Sequence, residues 1–192
     1  MRLKISHRTS YQYDAPVHYS LQQVRLTPKS HFGQSVISWK STILGGVKEV
    51  EFEDQHSNSV ILVSLETDCT EITIKSEGEI ETTDNAGIVG KHSGYAPLWY
   101  FKRTTSLTSP GPHLRKLLKS LDSNFDNEIS RLHGLSNLIS EAVKYETGQT
   151  HAQTSAEEAL NAGHGVCQDH THIFIAAARL LDHPARYVSG YL

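Results

Sequence analysis

Gly163-His164-Gly165-Val166-Cys167-Gln168-Asp169-His170-Thr171-His172 runs directly into Ile173-Phe174-Ile175-Ala176-Ala177-Ala178-Arg179-Leu180-Leu181. The second stretch has neither glycine nor proline and sets Ile173, Phe174, Ala176, Ala177, Leu180 and Leu181 at helical spacing, so it reads as a buried helix closed by His183-Pro184. The first is a glycine-flanked turn that delivers a cysteine to the first turn of that helix. A helix N-terminus, with free N–H groups and the positive end of the dipole, favours the thiolate that acts as nucleophile, and the same N–H groups can hold an oxyanion. Gly163 and Gly165 supply the backbone freedom such a turn uses and leave room for an acyl substrate to approach the sulfur; with Gln168 and Asp169 they form the candidate oxyanion and turn support. Asp169 complements the dipole but sets a negative charge near the sulfur, so its carboxylate is expected to be engaged by backbone or another partner.

A cysteine on a capped helix is more often a small apolar core residue than a nucleophile. The glycine turn distinguishes Cys167 from Cys69, which sits among Thr67, Asp68 and Thr70 at a strand entry and reads as structural. His164, Cys167, His170 and His172 could instead suggest zinc. Four ligands across one turn and one helix surround an ion poorly, and His164 is expected to face solvent. His170, at i+3 from Cys167, shares its helix face, whereas His172 at i+5 lies roughly 140° around. Neither serves well as a base, and neither a metal nor a cofactor is expected.

Moving outward, Ser155-Ala156-Glu157-Glu158 is a capping box that starts a short helix at Ala156 and stops it near Gly163. Leu114, Leu117, Leu118 and Leu121, then Ile129, Leu132, Leu135, Leu138, Ile139 and Val143, make two further helical stripes. Residues 83–112 carry closely spaced Gly and Pro and read as a linker, with Pro97-Leu98-Trp99-Tyr100-Phe101 docked on a neighbouring surface. Residues 1–82 have strand character: Leu3, Ile5, Thr9, Tyr11 and Tyr13 alternate with polar residues until Tyr13-Asp14-Ala15-Pro16 breaks the run, and Val36 to Ile43, Val47 to Phe52 and Ser59 to Leu65 follow with loop signals between. The fold class expected is α+β: an antiparallel β-sandwich over 1–82, then a helix-rich unit over 113–192 that ends in a strand from Arg186.

The 192 residues carry 18 Lys and Arg against 21 Asp and Glu, a net charge of −3, with no basic run, which argues against nucleic acid as the main ligand. No apolar stretch approaches the roughly 18–20 residues of a membrane span and no signal region opens the chain, so no membrane partner and a cytoplasmic location are expected. Two cysteines about a hundred residues apart form no disulfide framework.

Gly-x-Gly-Val-Cys-Gln-Asp before a buried helix, followed by Pro184-Ala185-Arg186-Tyr187-Val188-Ser189-Gly190-Tyr191, resembles the bacterial transglutaminase-like proteins, papain-fold cysteine enzymes. The opening Ser6-His7-Arg8-Thr9-Ser10-Tyr11-Gln12-Tyr13-Asp14-Ala15-Pro16-Val17, with Val24-Arg25-Leu26-Thr27-Pro28, is similar to their N-terminal β-domain, and Thr154 to Leu160 resembles the helix leading into the motif. The resemblance implies the helical half of a papain-like transglutaminase core and a Cys-His-Asp triad in which Cys167 attacks a peptide or glutamine carboxamide, forms a thioester and yields to water or an amine. In the family the histidine and aspartate follow the segment matching Gly190-Tyr191, so this chain is expected to be a truncated, inactive part of the enzyme that self-associates through an exposed C-terminal strand. His172 matches a family histidine outside the triad, and His170 stands where an aromatic is more usual. The alternative is a non-catalytic peptide- or protein-binding module built on the β-domain with a degenerate cysteine core.

Overall fold

The computed structural model describes residues 1–92 and 94–190, and the chain divides into two compact units, Met1–Ala96 and Pro97–Leu192. In the first, β1 (Arg2–Val17), β2 (Leu21–Val24), β3 (Gln34–Leu44), β4 (Gly46–Glu53), β5 (Ser59–Leu65) and β6 (Cys69–Thr82) build two antiparallel three-stranded sheets, ordered β1-β6-β3 and β2-β5-β4. The period-two pattern of β1 is visible in its burial, with Leu3, Ile5, Thr9, Tyr13 and Val17 half-buried between exposed neighbours. Val24, Ile61, Val63 and Leu65 from one sheet meet Ile72 and Ile74 from the other, so the two sheets share one core as a sandwich does. Each such side chain fully buried contributes about 1.5–3 kcal/mol.

Two details of these strands differ from the sequence pattern. Residues 13–16 do not end β1: Gln12 pairs with Glu71 and Val17 with Cys69, so the segment bulges outward and the strand resumes. Because β1 is an edge strand, Pro16 costs no ladder hydrogen bond. In β6, Gly78 stands opposite Ile5 on one side and Trp39 on the other, and a Cβ there would come within 2.1 Å of the Ser38 carbonyl oxygen and 2.5 Å of Trp39 Cε3. The missing side chain is what lets the Trp39 ring lie across the centre of the sheet.

The second unit opens with two short 3-10 turns, Leu98–Lys102 and Ser106–Thr108, and continues as α1 (Pro112–Lys119), α2 (Glu128–Ala142), β7 (Lys144–Tyr145), α3 (Ala156–Ala162), β8 (His164–Gly165) and α4 (Cys167–Leu180). The expected leucine stripes fill its core: Leu114 and Leu117 of α1, then Leu135 and Ile139 of α2, with Val143, meet Ile173 of α4. Ala156, Ala159, Ala176 and Ala177 let α3 and α4 approach closely. Among the described residues no helix is long and apolar enough to cross a membrane.

Of the aromatic run at 99–101, only Phe101 is buried; Trp99 stays 65% exposed. The strand expected from Arg186 is not formed among the described residues to 190, and Tyr191 and Leu192 lie outside them. Its backbone is used otherwise: the Ala185 N–H donates to the Phe101 carbonyl at 3.1 Å, and the Arg179 guanidinium donates to the carbonyls of Ala185 and Phe101, both at 2.8 Å, and to the Thr108 hydroxyl at 2.8 Å. Residues 186–190, where an exposed strand was expected, form no strand. Burial draws the Arg179 pKa below its ordinary value, its charge being answered by carbonyl and hydroxyl oxygens.

Glu157 of α3 caps α1: its carboxylate accepts from the backbone N–H groups of Gly111 (3.1 Å), His113 (2.6 Å) and Leu114 (3.2 Å) and from His113 Nδ1 (2.9 Å). Burial opposes the charge, but these donors outweigh it and hold the Glu157 pKa below the usual carboxylate range. The stabilisation is therefore fully present above the unfolded-state carboxylate pKa and is lost as pH falls through the lower folded-state value. Glu157→Gln is expected to cost about 1–2 kcal/mol at neutral pH and to flatten the acid limb of stability, read by urea denaturation across pH. Gly78→Ala is expected to cost about 1–3 kcal/mol in the same assay at neutral pH, because neither the Ser38 carbonyl nor the indole can withdraw freely.

Candidate functional site

The candidate site forms where α3 hands over to α4. The capping box is present as the sequence predicts: Ser155 Oγ accepts from the Glu158 N–H, the Glu158 carboxylate accepts from the Ser155 N–H at 2.8 Å, and α3 begins at Ala156. It ends at Gly163, whose φ of +74° is the left-handed conformation that glycine adopts without strain. His164 and Gly165 then lie parallel to Lys144 and Tyr145, the Lys144 and Glu146 N–H groups donating to the carbonyls of Gly163 and Gly165 at 2.9 Å. Val166 is the N-cap of α4, and Cys167 is its first residue.

Cys167 is exposed, whereas Cys69 is half-buried with its thiol directed at the Glu71 carbonyl, 2.7 Å away. The first backbone bonds of α4 run from Asp169 and His170 to the Val166 carbonyl, at 2.9 and 3.1 Å. The N–H groups of Cys167 and Gln168 are left without a protein acceptor among the described residues. An exposed sulfur and two uncommitted N–H groups thus occupy one helix end. The Gln168 side chain itself supports the turn, donating to the Ala152 carbonyl at 3.3 Å.

Asp169 is 1% exposed and engaged as the sequence required. Its Oδ2 accepts from the Val166 N–H and from the Thr150 hydroxyl, both at 2.7 Å, while Oδ1 is buried with no hydrogen-bond partner among the described residues. The bond to Val166 is the half of a capping box in which the third helical residue reaches back to the N-cap. Gly165 has a packing role beside this carboxylate. A Cβ there would stand 2.7 Å from both Cβ and Oδ2 of Asp169, so the absent side chain makes room for this carboxylate.

The histidines have separate tasks. His170 Nε2 donates to the Val143 carbonyl at 2.8 Å, and its ring lies 6.3 Å from that of Tyr145, centroid to centroid. His172 is buried, its ring 5.7 Å from Tyr187. His164, expected to face solvent, is half-buried with Nδ1 enclosed and without a partner among the described residues. The described residues hold no group of three His, Cys, Asp or Glu side chains placed to bind a metal ion. Sequence reasoning missed Thr150 and the carbonyls of Val143 and Ala152, because a lone threonine and two backbone carbonyls carry no local pattern.

Residues 3–81 match the family model for the bacterial transglutaminase-like N-terminal region, and residues 115–192 match that for the transglutaminase-like superfamily. An uncharacterized protein of Mycobacterium leprae is 26% identical over all of this chain and 71% of its own length, and one of Mycobacterium tuberculosis is 25% identical over all of this chain and 66% of its own. Among solved structures, a candidate cysteine protease of Cytophaga hutchinsonii superposes with a TM-score of 0.74 at 19% identity, covering 96% of this chain and 65% of that one, a likeness of fold. The chain thus spans about two thirds of the length of the proteins it matches. The chain joins a two-sheet domain matched by the model for the bacterial transglutaminase-like N-terminal region to a helical unit, presenting Cys167, matched by that for the transglutaminase-like superfamily.

Proposed function

We propose that Cys167 is the nucleophile of a transglutaminase-like cysteine enzyme acting on peptide or glutamine carboxamides. The observation that carries this reading is an exposed cysteine at the first position of α4, beside two N–H groups that no protein oxygen uses among the described residues. In the reaction the thiolate adds to the carboxamide carbon, and the N–H groups of Cys167 and Gln168 hold the oxygen as it becomes an oxyanion. The C–N bond then breaks, the amine departs with a proton, and a thioester remains on Cys167. Water or a second amine attacks that thioester and returns the thiol. Substrates are therefore a peptide or protein, cut or cross-linked according to which acceptor arrives.

We take neither imidazole of α4 as the base: His170 is tied through Nε2 to the Val143 carbonyl, and His172 is enclosed beside Tyr187. We assign the base and its orienting carboxylate to the histidine and aspartate that the family carries after the segment matching Gly190-Tyr191. The greater length of the matched proteins is compatible with this assignment.

Brief treatment with iodoacetamide near neutral pH, followed by peptide mass spectrometry, is expected to label Cys167 well before Cys69; preferential labelling of Cys69 overturns the nucleophile. In the full-length gene product, ammonia release from a glutamine peptide and incorporation of a primary amine are expected to fall by about a thousandfold or more in Cys167→Ser. Turnover unchanged by that substitution, or none in the unaltered protein toward any carboxamide, leaves the β-domain binding module as the better account.

A further inference from the structure

The buried carboxylate beside Cys167 is held from outside its own helix at one point. Asp169 Oδ2 receives one hydrogen bond from the turn itself, the Val166 N–H, and one from Thr150, nineteen residues earlier in the loop that joins β7 to α3. Its other oxygen is buried and has no hydrogen-bond partner among the described residues, so loss of either bond leaves the carboxylate with one. A buried carboxylate retaining a single hydrogen bond is costly and is driven to rotate toward water. Rotation would release the Val166 N–H, and with it the N-cap that fixes the direction of Cys167 and of the two free N–H groups. The same loop is tied to the same helical turn a second time, by the Gln168 amide on the Ala152 carbonyl.

We propose that Thr150 is a positioning residue for Cys167, acting through Asp169: its hydroxyl keeps the carboxylate on the Val166 N–H and so holds the sulfur and the oxyanion donors in register. This inference rests on the reading of Cys167 as the nucleophile. Thr150 touches neither substrate nor sulfur in this role. Its methyl group is incidental and its hydroxyl is essential, so the isosteric Thr150→Val removes the function while Thr150→Ser retains it.

The test uses three chains, unaltered, Thr150→Val and Thr150→Ser, each checked for an intact melting transition. The rate of Cys167 alkylation by iodoacetamide is measured in each and normalised to Cys69 of the same molecule, together with hydrogen exchange at the Val166 amide. Expected for Thr150→Val is a loss of about threefold to tenfold in relative Cys167 reactivity with faster Val166 exchange, and for Thr150→Ser values within about twofold of the unaltered chain. Unchanged reactivity and exchange in Thr150→Val, or a loss that serine does not restore, overturns the proposal. A Thr150→Val chain that fails to fold also counts against it, since a positioning role leaves the fold intact. Should Cys167 of the unaltered chain react no faster than Cys69, the nucleophile reading fails by itself, and the Val166 exchange rates still decide whether Thr150 holds the turn.

Discussion

One carboxylate organises the candidate site. Asp169, inaccessible to solvent, binds the N–H of the residue that starts its own helix, and every feature around Cys167 answers to that bond. Gly165 is bare because the carboxylate fills its side-chain space, and Gly163 turns left-handed so that α3 stops three residues before Val166. The loop after β7 lies against α4 because its threonine is needed to satisfy the same oxygen. The same solution appears at α1, where Glu157 arrives from another helix to cap the N-terminus and Gly111 leaves space for it; a Cβ on Gly111 would stand 2.4 Å from the Glu157 carboxyl carbon. In both places a carboxylate meets the positive end of a helix and a glycine yields the volume.

Much of this is readable in the sequence because the signals are local. The capping box at Ser155, the stop at Gly163, the alternation of β1 and the leucine spacing of α1 and α2 are fixed by residues a few positions apart, and the structure places each element accordingly. That Asp169 needed a partner was legible from the charge it brings to a helix start; that Thr150 would supply one was not, since nothing within nineteen residues marks it. The failures are of the same kind. Period-two residues after His183 suggested a strand, yet a strand requires a neighbour, and here Arg179 and Phe101 take the polar groups of Ala185 first. Residues 13–16 carry a turn signal that an edge position absorbs as a bulge. Units of 1–82 and 113–192 with a linker between them follow from where strand alternation stops, where helical spacing begins and where glycine and proline crowd between; by chain contacts both 3-10 turns of that stretch join the second unit.

The two histidines of α4 show how position on a helix separates residues that composition groups together. His170 faces the end of α2 and donates to the carbonyl of Val143; His172, two residues on, turns inward against Tyr187. Each is held by contacts of a different element, so two imidazoles that lie two residues apart in the sequence have separate structural partners.

Arg179 joins what the chain separates. One guanidinium binds the carbonyl of Phe101, the hydroxyl of Thr108 and the carbonyl of Ala185, and Ala185 in turn donates to Phe101, so residues 101, 108 and 185 meet at one side chain. A single cation thus acts as a rivet through three stretches of backbone. Such a joint opens all at once: fraying at residue 185 strips acceptors from the same guanidinium that holds Phe101 and Thr108, so the three stretches come undone as one cooperative piece.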